Sequence, residues 1–198
     1  MSRVFRRILA VAVVAAAILL VLFALVFPRS RRVQVPVLMY HHLAEICPEG
    51  QEGMTASTAT FRAHMEALKA AGYESVTPRQ MADYVQYGTA LPKKPILITF
   101  DDGYIDNYTN AMPILKKYGM RATVFVVPGF TGVQANYLNW EQLKEMEKNG
   151  FTIQSHTLNH RALEELPDDE IRAELLNSKV LILFDIRKKN SGKHIKKE

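Results

Sequence analysis

Residues 95–100 read PILITF, a continuous apolar run without the alternation of a half-wet strand. Such a run predicts a strand buried on both faces, and that strand needs helices above and below it. The rest of the chain supplies them. VPVLMY (35–40), YESV (73–76), RATVFVV (121–127) and FTIQS (151–155) predict four more strands. Ser57 or Thr58 can cap a helix whose apolar face is Phe61, Met65 and Leu68, with Gly72 past its end. His64 shares that face and reads as a packing residue. Thr77-Pro78 opens a second helix, with Met81, Tyr84 and Val85 as its buried stripe. Ile114, Leu115 and Tyr118 mark a third, closed by Gly119. Asn139 caps a fourth over Trp140, Leu143 and Met146, with Gly150 beyond it. Pro167 with Asp168, Asp169 and Glu170 opens the last, its acids at the favourable end of the dipole. The βαβαβαβαβα order predicts an α/β fold with a parallel sheet or barrel. Five strands fall short of the roughly eight, in about 250 residues, of a closed (β/α) barrel.

The ends of the chain have a different character. Ile8 to Phe27 is 20 residues without a charge, about 30 Å as a helix, the thickness of a bilayer core. The run is longer than a signal-peptide core and ends in Leu25-Val26-Phe27-Pro28-Arg29, a poor cleavage context. It is expected to be an uncleaved transmembrane anchor behind a short basic N-terminus (1–7) and ahead of a linker (28–34). The short N-terminal flank makes N-inside the simpler topology, with the domain outside the cytoplasm. Of 25 basic residues, six lie in 1–32 and six in 187–198, which leaves 13 against 19 acids in 33–186, a net charge of −6. That mildly acidic body argues against nucleic acid as a partner. The segment 35–180 is expected to form the domain and 181–198 a basic tail. The single cysteine, Cys47, reads as a loop residue.

In strand–helix alternation, functional groups gather at the C-terminal ends of the strands. Asp101-Asp102-Gly103 follows the PILITF strand, and His156 follows FTIQS with His160 four residues on. One helical turn or a tight loop puts both imidazoles on one side. A carboxylate with two neutral imidazoles is an open-site donor set for a divalent transition metal. A dication there favours ionising one aspartate and leaves the second for a different role. Gly103 supplies the freedom to turn where the strand has ended.

TFDDGY (99–104) and SHTLNH (155–160) resemble the first two motifs of the polysaccharide deacetylases, carbohydrate esterase family four, and VPVLMYHHL (35–43) resembles the segment opening that domain. The resemblance covers roughly residues 33–180. It implies a distorted (β/α) barrel that removes N-acetyl groups from polymers of N-acetylglucosamine or peptidoglycan sugars. It also implies that Asp102, His156 and His160 bind the metal, most simply Zn²⁺ with Co²⁺ or Ni²⁺ as alternatives, and that Asp101 is the general base. Tyr104 and Trp140 can line a sugar-binding cleft, although Trp140 at helical spacing also suits a core. His41 and His42 follow the first strand, so one of them can touch substrate; a half-buried imidazole bonded to backbone is the plainer reading.

The family's proton donor is a histidine from a late motif, preceded by an arginine-containing motif that orients the base. Neither appears here, and His194 in its basic setting does not match. A truncated domain is therefore expected. The alternatives to a deacetylase are a non-catalytic, membrane-tethered glycan-binding module and an inactive remnant. The glycan and the oligomeric state are not legible in the sequence.

Overall fold

The computed structural model describes residues 5, 12–19, 21–22, 33–47 and 49–187. The chain divides into two units, Met1–Gln34 and Val35–Glu198. In the first, the apolar run 8–27 is helical where described, at 12–19 and 21–22, and its remaining residues lie outside the described ones. Among the described residues no helix is long and apolar enough to cross a membrane. Residues 188–198, which include His194, also lie outside them.

The second unit is built on five parallel strands. PILITF forms β5 (Pro95–Phe100), and all six of its residues are buried. On one side β1 (Val37–Tyr40) pairs with its C-terminal part, Val37 opposite Leu97 and Tyr40 opposite Phe100. β6 (Thr123–Val126) follows, then β7 (Thr152–Ser155), giving the order β1-β5-β6-β7. The short β4 (Glu74–Ser75) pairs with the start of β5, Glu74 opposite Pro95. These are the five strands the periodicity predicts. Among the described residues the sheet is open, with β1 and β7 at its ends. A second, parallel pair, β2 (His42–Leu43) with β3 (Thr55–Ala56), was not legible in the sequence; with two residues each, such strands carry no period to read.

Among the described residues five α-helices belong to this unit: α1 (Thr58–Ala70), α2 (Pro78–Tyr87), α3 (Met112–Tyr118), α4 (Trp140–Lys148) and α5 (Asp168–Arg187). Ser57 caps α1 by accepting from the Thr60 N–H. Thr77 and Asn139 form full capping boxes with Gln80 and Gln142. The core joins Phe61 and Met65 of α1 with Ile98 and Phe100 of β5, Val124 and Val126 of β6, and Leu143 and Met146 of α4. Trp140 and Leu68 pack against it.

Three sequence readings change. Val85 is 80% exposed, because α2 lies with only Pro78, Met81, Asp83 and Tyr84 partly covered. His64 is exposed, and its Nδ1 lies 2.9 Å from the Tyr40 hydroxyl instead of packing beside Phe61. The boundary at 180 falls inside a helix, since α5 continues through Arg187. Residues 181–186 are apolar enough to pack: Ile182 is buried in the core and Ile186 lies against it.

Candidate active site

The tip of β5 turns within three residues. The Asp101 N–H donates to the Tyr40 carbonyl, the last rung to β1, and the Gly103 N–H donates back to the Asp101 carbonyl. Asp102 and Gly103 both adopt left-handed backbone, φ 70° and 79°. Glycine is required at 103 for a second reason: a Cβ there would stand 2.9 Å from Val126 Cγ1. With the chain pinned against β6 in this way, Asp102 is turned inward and is 7% exposed.

The tip of β7 is a longer loop, not a helical turn. The His156 N–H still donates to the Val126 carbonyl of β6, after which the chain leaves the sheet. Thr157 and His160 take left-handed φ values of 66° and 57°. This returns the chain so that the two imidazole rings lie 5.0 Å apart between centroids.

The two tips meet. Asp102 Oδ1 lies 3.4 Å from His156 Nε2 and 3.2 Å from His160 Nε2. Asp102 Oδ1 is buried, yet among the described residues it has no hydrogen-bond partner. A buried acceptor without a donor is costly, and a shared cation removes the cost. Ligands at about 2.0–2.2 Å from a tetrahedral zinc stand about 3.4 Å from one another, which is the spacing from Asp102 to each imidazole, and all three donor atoms lie within 4.8 Å of one another. Asp102, His156 and His160 therefore fit a divalent metal with three protein donors and an open position. This is the group of donors that the sequence singled out.

Asp101 sits beside them, half-buried. Burial pushes its carboxyl above the ordinary carboxylate range; the imidazoles of His156 and His41 pull the other way, and the neighbouring Asp102 adds to the rise. His41 Nε2 is 3.9 Å from Asp101 Oδ2, so this histidine does reach the site. His42 is turned inward instead: it is 8% exposed, bonded through Nδ1 to Asp106 Oδ2 at 2.7 Å and stacked on Tyr104 with centroids 3.5 Å apart. Tyr104 is buried as well. Burial, a hydrogen bond with Tyr137 and the Asp102 charge all drive its hydroxyl far above the usual phenol range. Adjacent histidines on one strand tip thus point to opposite sides.

Three residues that the sequence did not reveal hold these groups. Asn107 is fully buried and donates to the His41 carbonyl at 2.8 Å and to Asp106 Oδ1 at 3.0 Å. It opens a wide, π-type turn, Asn107–Ala111, a form enriched at functional sites. Asp106 fixes His42. Glu174 of α5 is 4% exposed and accepts from the backbone N–H groups of Leu158 and Asn159, each at 2.8 Å. A signal for it existed: Glu174, Ser178 and Ile182 recur at helical spacing, so two polar residues lie in the buried stripe of α5.

The motif-bearing half of the chain, residues 88–186, matches the family profile described as polysaccharide deacetylase. The chain belongs to the polysaccharide deacetylase family. YxkH of Bacillus subtilis, named for this family, is 38% identical over 148 residues, 75% of this chain and 51% of that protein. The poly-β-1,6-N-acetyl-D-glucosamine N-deacetylase of Staphylococcus aureus is 34% identical over 109 residues, 52% of this chain and 37% of the enzyme. The chain thus spans about half, or less, of these relatives. Among solved structures, the Streptococcus pyogenes deacetylase PplD in complex with acetate aligns with a TM-score of 0.73 and 33% identity, covering 78% of this chain and 70% of that one. The family is one of hydrolases, and the chain has the α/β fold and parallel sheet of its structural neighbours.

Proposed function

We propose that this chain hydrolyses N-acetyl groups on a cell-envelope polysaccharide, a polymer of N-acetylglucosamine or peptidoglycan glycan, with a divalent metal held by Asp102, His156 and His160. The observation that carries the reading is the meeting of those three donors with Asp101 set beside them and left outside the donor set. A bound zinc, cobalt or nickel ion supplies polarisation of the acetyl carbonyl and a more acidic water. The protein's own groups do the rest. Asp101, raised by burial toward a pKa useful to a base, takes the proton of the attacking water as its oxygen bonds to the acetyl carbon. The carbon–nitrogen bond then breaks, its electron pair stays on nitrogen, and that nitrogen must gain a proton to leave as an amine. His41, the imidazole beside Asp101 that is not a metal donor, is placed to deliver it. Tyr104 is buried between the His42 and Tyr137 rings and beside Asp102, and Tyr137 is the more exposed of the two tyrosines.

The uncharged run 8–27 supports a further part of the proposal, a membrane anchor holding the domain on the extracytoplasmic side, where such glycans lie. Acetate release from a β-1,6-linked N-acetylglucosamine polymer, and separately from peptidoglycan, tests the chemistry. Release that needs added zinc, and stops in Asp101→Asn, supports hydrolysis. Saccharide binding without release, at any metal concentration, would instead make the chain a glycan-binding module.

A further inference from the structure

We infer that Glu174 is a positioning residue for the two imidazoles: from α5 it fixes the loop that carries His156 and His160, so that docking of α5 against β7 and capture of a divalent cation are coupled. The inference rests on the metal reading of Asp102, His156 and His160. Its basis is where the loop's backbone bonds go. Thr157 N–H donates to Ser155 Oγ at 3.2 Å, and His160 N–H donates to Thr157 Oγ1 at 3.0 Å. Between them, Leu158 and Asn159 both donate to the same carboxylate oxygen of Glu174, while Asn159 Nδ2 donates to the other at 3.0 Å. Every amide from 157 to 160 therefore ends on a side-chain oxygen, and the two central ones depend on a residue of another element.

Those bonds matter because Thr157 and His160 hold a left-handed backbone that only an over-determined surrounding keeps in place. A carboxylate is well suited to hold it, since an ionised acceptor makes hydrogen bonds roughly twice as strong as a neutral one. One turn further along α5, Ser178 is fully buried and hydrogen-bonded to Ser155 at the end of β7. Glu174 and Ser178 together register the helix against the middle and the start of the ligand-bearing segment. If the helix is docked only when the loop has its ligand-competent form, a cation that binds that form also stabilises the docked helix, and the coupling is reciprocal.

The test uses the full chain with zinc chloride for affinity and cobalt chloride as a spectroscopic probe of ligand geometry. Glu174→Ala is expected to lower zinc affinity about 10–100-fold, the usual effect of removing an outer partner of a metal ligand, and to shift the cobalt ligand-field bands. Glu174→Gln keeps one oxygen for the two amides and should recover part of the loss. In the wild type, zinc should slow amide exchange at Leu158, Asn159 and along α5. Equal zinc affinity and unchanged cobalt spectra in folded variants, whatever their melting temperatures, would overturn the inference. If Glu174→Ala does not fold, Glu174→Gln and the wild-type exchange carry the decision, and exchange along α5 indifferent to zinc counts against it. A wild type that binds no zinc overturns the metal reading itself, and this inference with it.

Discussion

The two strand tips that build the site are held by different means. At the end of β5 the turn is local: Asp102 and Gly103 are bent over Val126 of the neighbouring strand, and the carboxylate is buried. At the end of β7 the turn is longer, its imidazoles are more exposed, and it is tied to a helix that begins eight residues after His160. One tip is fixed by a steric fit within the sheet. The other is fixed by hydrogen bonds from outside it. A site assembled this way has a rigid wall carrying Asp101 and Asp102 and a wall whose order depends on α5.

The largest effect should come from joining the walls or failing to. Stripping divalent metal with a chelator should abolish acetate release and zinc should restore it; Asp102→Ala should lower zinc affinity more than about 100-fold, beyond what an outer partner contributes, as calorimetry would show. Within the rigid wall, Asp101→Asn should reduce kcat by about 10²–10⁴ with zinc affinity retained. Loss of zinc binding in that variant would mean that Asp101 is a ligand and that the assignment of roles is wrong.

His41→Ala should reduce hydrolysis of the N-acetyl substrate by about 10². It should affect an aryl acetate ester far less, since a phenolate leaves without a proton. Equal losses on both substrates would remove His41 as the proton donor.

Two glycines then separate the tips by stability. Gly103→Ala places a Cβ against Val126 in left-handed backbone and should cost about 1–3 kcal/mol in denaturant melts. Gly129→Ala would meet Asn159 Oδ1 at 2.6 Å and the Leu158 carbonyl at 2.8 Å, so it should also weaken zinc binding by displacing the loop. Affinity lost at Gly103 and kept at Gly129 would reverse the comparison.

The smallest effect is on pH. Burial raises the Glu174 carboxyl, but hydrogen bonds from the Asn159 side chain and the Asn159 and Leu158 backbones outweigh it and leave the group below its ordinary 4.5. Its contribution to stability is therefore present above that value and lost as pH falls through the lower folded one. Glu174→Gln should flatten this acid limb of the stability curve; an unchanged limb would show that the loop's order does not depend on that charge.

Local signals were enough for much of this. The unbroken apolar run of β5, the caps at Ser57 or Thr58, Thr77 and Asn139, and the placing of DDG and HxxxH after strands gave the strand–helix order and a candidate donor set of two imidazoles with one of two aspartates, because period, capping chemistry and strand-end position are properties of neighbouring residues; the choice of Asp102 came from the family resemblance. What followed from no neighbour was decided by packing. That His41 reaches Asp101 while His42 turns to Asp106, that Val85 stays exposed, and that Glu174 is brought from the last helix onto Leu158 and Asn159 all depend on how separate elements meet. Sequence alone determined which residues could hold a cation. Tertiary structure decided which of the two aspartates meets both imidazoles, which histidine of the first strand tip stands beside the other, and what holds the loop in place, since buried polar groups find their partners only once the chain has folded around them.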